Sequence, residues 1–384
     1  MNLILGPFRS FANIDQIYQT AKTGIETQTK NLNSEAFLST AEETVQNARR
    51  NEQQFNQITI KEAINLRSTV RTIQNDYFYG REDILTDLHS IIAPDENSVS
   101  TRVKKCVLHG LGGTGKTQTA LEYTYRFRKY YDYIFWLRAE HPYELAESYS
   151  VIAAVSGVQA DVDSVDQKYN IKLAWDWLTS TGILPKLSYI FSSIRSSVLT
   201  FTADNSWLLV FDNVDSVDAI KPYLPAAKQG SIIFTTQTLD LESVTRSSLH
   251  IKGVGNHDGA KMLLGYLYDG NHDEQLAIQI SDSVGDLPLA IAQIGGYINS
   301  RRCTLQDFIE IFEEFWAKDS THPPDYEKSL QTVFDIALHS LQSDARDLID
   351  IFAYFNPDSI PEDMVFSPHR AKTLDFLNSS NKYR

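Results

Sequence analysis

The sequence predicts an α/β fold, a parallel sheet with helices on both faces, followed by a run of helices. Three observations predict it. Short apolar runs alternate with helix-length segments between Lys104 and Thr236, and strands separated by helices pair in parallel with helices covering the sheet. One run, Trp207-Leu208-Leu209-Val210-Phe211, contains no polar residue, as expected of a strand buried on both sides. Beyond about Gly255 the strand pattern stops and apolar residues recur at helical spacing.

Composition sets the bounds. The chain has 384 residues, 42% of them hydrophobic, and a formal net charge of −14, which describes a folded chain of several domains rather than a disordered one. Strong acidity disfavours a nucleic-acid backbone or an anionic membrane as the main partner, and no local basic patch is visible along the sequence. Only Cys106 and Cys303 occur, without metal-ligand spacing, which fits a reducing compartment, the cytosol by default, and excludes a disulfide scaffold or a zinc module. The opening Met1 to Phe8 has no basic region and is a poor secretory signal. The nearest candidate for a membrane span, Gly182 to Ala203, carries Pro185, Lys186 and Arg195 and is too polar to cross a bilayer.

In chain order, residues 1–75 are rich in Gln, Asn, Glu and Thr and read as helical, with Ile14, Ile17 and Tyr18 on one face. A new domain starts near Asn75 with Tyr77-Phe78-Tyr79-Gly80-Arg81-Glu82-Asp83 and a short helix through Leu85, Leu88 and Ile92. Strands are expected at Cys106-Val107-Leu108, Tyr133 to Leu137, Trp207 to Phe211 and Ser231 to Thr235, with helices from Ala120 to Phe127 and from Tyr143 to Val155. Helices follow over Ala260–Leu267, Glu274–Val284, Leu289–Ile298, Leu305–Phe315, Leu330–Leu341 and Ala345–Phe355. The expected domains are 1–75, 76–255, 256–325 and 326–384.

The chemistry concentrates in Gly110-Leu111-Gly112-Gly113-Thr114-Gly115-Lys116-Thr117, which matches G-x-x-x-x-G-K-[ST] between a strand and a helix. Glycines let the backbone curl so that several N–H groups face one anion, and the following helix N-terminus adds a favourable field. Lys116 is expected on the β- and γ-phosphates of a nucleotide and Thr117 on Mg²⁺, with Gln118 beside them. The same glycines satisfy G-x-G-x-x-G, so a dinucleotide-binding oxidoreductase with Glu140 as its ribose acid is an alternative. A second feature is Asp212, a carboxylate at the C-terminal end of an apolar strand, where ligands of parallel sheets bind; it is the expected Mg²⁺ partner. Asn213 follows, and an amide is no general base, so hydrolysis should be slow unless Asp215 supplies one.

Together, Phe78 to Glu82, the phosphate loop, Tyr133 to Leu137, Leu208 to Asn213 and Gly285-Asp286-Leu287-Pro288-Leu289-Ala290 resemble the NB-ARC family of signal-transducing (STAND) P-loop NTPases, most closely its fungal NOD-like receptors. The resemblance covers about Asn75 to Pro361. It implies that Phe78, Tyr79, Gly80 and Arg81 lie over adenine and ribose, that Pro288 opens a lid helix, and that a truncated winged-helix subdomain begins near Leu330. It also implies ADP or ATP with Mg²⁺ as cofactor, a homo-oligomer in the ATP state, and protein partners through the N-terminal helices. Turnover as an ATPase or kinase, or a scaffold with a degenerate site, are the alternatives.

Three features depart from the family pattern. Gln237 stands where an arginine usually senses the γ-phosphate, and an amide cannot replace a charge-assisted fork. The chain stops before the family's His-containing motif, and His369 is not in a matching context. Residues 182–203 intervene before the strand at Trp207, either as a surface insertion or as a translated in-frame intron, since Val198 to Ala203 can be encoded by a branch-point-like CTAAC, a pyrimidine run and a terminal CAG.

Overall fold

Alternating strands and helices build a five-stranded, wholly parallel sheet in the order β2-β3-β4-β1-β5. The computed structural model describes residues 67–70, 74–94, 102–158, 167–180, 205–238, 240–268, 273–318, 326–342, 345–346 and 349. Nearly all of these belong to one unit, Ala63–His339. The helices expected within residues 1–66, most of the partial winged-helix region and the 182–203 insertion lie outside the described residues.

The strands are β1 (Lys104–His109), β2 (Tyr133–Arg138), β3 (Trp207–Asp212), β4 (Ser231–Thr236) and β5 (Ser248–His250). Around them run α1 (Glu82–Ile92), α2 (Lys116–Arg126), α3 (Pro142–Val155), α4 (Gln167–Ser180) and the short α5 (Val217–Ile220). Five more helices follow: α6 (Asn256–Tyr266), α7 (Glu274–Ser283), α8 (Pro288–Arg301), α9 (Leu305–Lys318) and α10 (Tyr326–His339). The sequence pattern did not reveal β5 or α4. β5 is three residues long and largely exposed, so it has no apolar run to announce it.

Strand order and handedness together distribute the helices. The β1-to-β2 connection crosses the sheet in one direction, and all later connections run back the other way. Right-handed crossovers therefore send α2 to one face and the later helices to the opposite face. Alternate residues in the strands follow suit. Cys106, Leu108, Ile134, Leu208, Val210 and Ile233 pack with Leu85, Leu88 and Ile92 of α1 and Ala120 and Tyr123 of α2. Val107, Phe135, Leu209, Phe211 and Phe234 pack with Tyr149 and Ile152 of α3 and Trp177 of α4. Both faces are covered, so the unbroken apolar pattern of β3 is accounted for.

The helices after β5 form their own core, in which Leu263, Ile280, Ile291, Ile294 and Phe308 are buried. α7 starts at Asp273, whose carboxylate accepts the N–H groups of Gln275 (2.8 Å) and Leu276 (3.3 Å) and so satisfies two otherwise orphaned donors. α8 starts at Pro288, where a missing N–H costs nothing. Among the described residues no helix is long and apolar enough to cross a membrane.

Candidate functional site

The loop between β1 and α2 takes backbone conformations that explain its glycines. Gly110, Gly113 and Gly115 have φ of 149°, 77° and 90°, a region L side chains rarely enter. A Cβ on Gly110 would lie 2.3 Å from the Ile251 carbonyl oxygen. Thr114 is buried, and its hydroxyl donates to the Leu111 carbonyl at 2.8 Å, while Thr119 Oγ1 donates to Gly115 O at 2.9 Å. The cradle is thus held from within, with Leu111 at its rim 55% exposed.

Lys116 is folded onto this loop. Its Nζ donates to the carbonyls of Gly110 (2.8 Å) and Leu111 (2.7 Å). Burial lowers its pKa, opposed by the charge of Asp212. Asp212 Oδ1 in turn accepts from Thr117 Oγ1 at 2.8 Å and from Thr235 Oγ1 at 2.6 Å. Burial raises the Asp212 pKa, with Thr235, Thr117 and Lys116 opposing. The two predicted metal-binding residues, Thr117 and Asp212, are therefore brought together across β4, although they are 95 residues apart in sequence.

Thr235 is the residue that sequence reasoning missed. It lies one place beyond Phe234, the residue of β4 that pairs with Phe211, and it holds both Asp212 and the Asn213 N–H, which donates to Thr235 Oγ1 at 2.9 Å. A polar residue at the C-terminal end of an otherwise apolar parallel strand is the signal that could have found it. Asn213 is left-handed at φ 59°. Asp215 is exposed, and among the described residues no hydrogen bond ties it to the phosphate loop.

The remaining predicted residues divide between the two neighbouring cores. The Arg126 guanidinium carbon lies 5.7 Å from the centre of the Phe78 ring, and Phe78 packs on the α1–α2 side of the sheet. Tyr79 packs against the helical core after β5, beside Gly265. Gly80 is left-handed at φ 69°, and a Cβ there would meet the Asp258 carboxylate at 2.5 Å. Arg81 Nη2 donates to Thr114 O (2.8 Å) and Lys252 O (2.5 Å), which ties this segment to the loop and to the exit of β5. Burial lowers the Arg81 pKa, opposed by Asp83. Gln118 Oε1 accepts from Asn75 Nδ2 at 3.3 Å.

Pro288 comes directly onto the loop. Its Cγ lies 3.7 Å from where a Gly115 Cβ would stand, and the Leu289 N–H donates to Gly113 O at 3.3 Å. On the other side, the nearest group to the Gly112 Cβ position is the Gln237 amide, at 3.9 Å.

These residues fit a nucleotide phosphate chain with Mg²⁺. Thr117 and Asp212 supply hard oxygen donors, and among the described residues no group of three or more His, Cys, Asp or Glu side chains could hold a metal. One or two protein oxygens completed by substrate phosphates is how Mg²⁺ is usually held. The dinucleotide-binding alternative does not survive: β1 lies between β4 and β5, whereas such a sheet places its second strand beside the first.

No protein-family profile matches the chain. A curated relative, a nucleotide-binding leucine-rich repeat (NLR)-like protein of Hyaloscypha variabilis, is 27% identical over 253 residues. The match covers 62% of this chain and spans only 24% of that relative's length. Among solved structures, a STAND protein with a tetratricopeptide repeat sensor from Pyrococcus horikoshii aligns over 79% of this chain and 39% of its own, at 15% identity and a TM-score of 0.42. Cdc6p of Pyrobaculum aerophilum aligns over 75% and 88%, at 11% identity and a TM-score of 0.41. Those structural likenesses are distant, and the chain spans about a quarter of the length of the curated relative it matches.

Proposed function

We propose that this chain, an NLR-like P-loop NTPase of the STAND class, is a switch operated by ADP and ATP with Mg²⁺ and acting inside the cell. The observation that carries the reading is the bond from the Leu289 N–H to Gly113 O, with Pro288 against Gly115. The first turn of α8 is thereby fastened to the loop that would hold the phosphates. A ligand binding this closed arrangement differently from an open one would shift the population between them, and only that difference in affinity can do so.

In the closed form Lys116 is positioned to exchange its two loop carbonyls for phosphate oxygens, and Thr117 and Asp212 to hold Mg²⁺, which would screen phosphate charge. Arg81 would keep the loop in register by its bond to Thr114 O. Gln237 offers a neutral amide toward the far end of the phosphate chain, which favours ADP in the closed state. Turnover would be slow, since Asn213 offers no base beside Asp212 and Asp215 faces solvent. Self-association in the ATP form and partner binding through residues 1–75 complete the reading.

The test is to denature the purified protein and identify by chromatography the nucleotide it releases. Near-stoichiometric ADP is expected. Empty protein that also shows no thermal shift with ADP or ATP would overturn the switch and leave a scaffold with a degenerate site.

A further inference from the structure

The end of the sheet opposite the phosphate loop carries a cavity of about 1060 Å³ at the starts of β1 and β5. Its charged lining is Arg102, Lys104, Lys105 and Arg246, joined by Thr245 and Ser247 hydroxyls, and among the described residues no aspartate or glutamate lines it. Four cations share one recess in a chain whose net charge is −14. This also corrects the sequence reading, which found no basic patch. The four residues come from two segments some 140 positions apart, and only the pairing of β1 with β5 brings them together.

The walls are fixed by their own hydrogen bonds. Val107 N donates to Ser247 O at 3.0 Å, Thr245 Oγ1 to Lys105 O at 3.1 Å, and Ser247 N to Thr245 Oγ1 at 3.2 Å. Lys104 Nζ donates to Ala93 O at 2.7 Å. Lys105 is half-buried, and burial lowers its pKa. Among the described residues the recess is lined by one sign of charge, and such a lining with low-dielectric walls concentrates the potential and draws counter-ions. Its volume of about 1060 Å³ lies just above the usual range of small-molecule sites, about 300–1,000 Å³.

We propose that this cavity is a binding site for a small, multiply charged phosphate compound, separate from the phosphate loop. Lysine ammonium groups and hydroxyls are rotatable donors that suit tetrahedral oxyanions from several directions, and two arginines add planar forks.

The experiment uses the full chain and inorganic tripolyphosphate as probe, followed by calorimetry. To keep the phosphate loop out of the reading, it is run on Lys116→Ala protein without Mg²⁺ and again on wild-type protein saturated with ADP and Mg²⁺. One site per chain is expected, weakening as salt rises. Lys105→Gln with Arg246→Gln should weaken binding at least tenfold, while Lys172→Gln, an exposed change in α4 that does not line the cavity, should leave it unchanged. Arg246 is exposed, so Arg246→Gln alone gives a folded variant, with severalfold weakening expected. No binding, or binding unaffected by these changes, would overturn the proposal. Equal affinity for citrate would overturn the phosphate class.

Discussion

The two ends of the sheet gather charge of different balance among the described residues. At the carboxyl end three charged groups around the phosphate loop are matched locally: Lys116 by two loop carbonyls and Asp212, Asp212 by two threonines, Arg81 by two carbonyls. At the amino end four cations, Lys104 among them bonded to Ala93 O, line a cavity that no described carboxylate lines. The difference follows from the fold. Parallel strands direct their following loops and helix N-termini to the carboxyl end, where those groups form anion-binding cradles. The amino end has no such backbone device, so an anion there must be held by side chains. On the proposed functions the carboxyl end would be a backbone site sharpened by one lysine, and the amino end a side-chain site.

The largest effect should come from the one lysine. Lys116→Ala is expected to weaken nucleotide binding at least 100-fold by titration calorimetry, since charge-assisted bonds to phosphate are each worth about 1.5–3 kcal/mol and tenfold is about 1.4 kcal/mol. Unchanged affinity would remove the contrast, because the carboxyl end would then not be the nucleotide site.

Next comes a change at the amino end that touches no charge. Gly230 has φ 120°, and a Cβ there would meet the fully buried Trp207 ring at 2.3 Å. Its carbonyl also accepts the Lys104 N–H at 3.0 Å. Gly230→Ala combines overpacking with left-handed strain and should cost about 2–4 kcal/mol of stability in urea unfolding. Nucleotide affinity at low temperature should not change. A parallel loss of affinity would show that the two ends are mechanically one.

A smaller effect distinguishes the ends by pH. His89, in the last turn of α1, stacks on Phe127 with ring centres 4.0 Å apart, and its Nδ1 lies 3.1 Å from the Tyr123 hydroxyl. Burial lowers its pKa, and Lys129 lowers it further. The unfolded chain binds the proton more readily, so stability should be full above the ordinary value of ~6.5 and be lost as pH falls below it toward the folded value. His89→Phe keeps an aromatic ring and should flatten the slope of unfolding free energy between pH 7 and 5. An unchanged slope would mean that other groups set it.

These contrasts also show what the sequence could reveal. The carboxyl-end site was legible because its parts are contiguous: eight residues of loop carry the glycines, the lysine and the threonine, and the apolar β3 run points at Asp212. β1 to β4 were legible for the same reason, each being a dense apolar run. Thr235 was not, since its role depends on which strand lies between the loop and Asp212. The basic cavity was still less so, because Arg102 to Lys105 and Arg246 are ordinary surface residues until β5 pairs with β1. Phe78 and Tyr79 were read as one segment over the base, yet they pack on different cores. Adjacent residues in an extended segment face opposite ways.

The smallest effect tests the neutral position at the loop's far rim. Gln237 is exposed and lies closest to the Gly112 Cβ position, at 3.9 Å, in a site where the other polar groups are already matched. Gln237→Arg would add a positive fork beside the end of the phosphate chain. A charge-assisted bond there acts on a terminal phosphate that ATP has and ADP lacks, but exposure to solvent screens most of its worth, leaving about 0.5–1 kcal/mol. The expected outcome in competition titrations is a two- to fivefold rise in affinity for ATP relative to ADP. An unchanged ratio would place the terminal phosphate away from β4, and any preference of the proposed closed form for ADP would then have to come from α8, through the contacts of Pro288 and Leu289 with the loop.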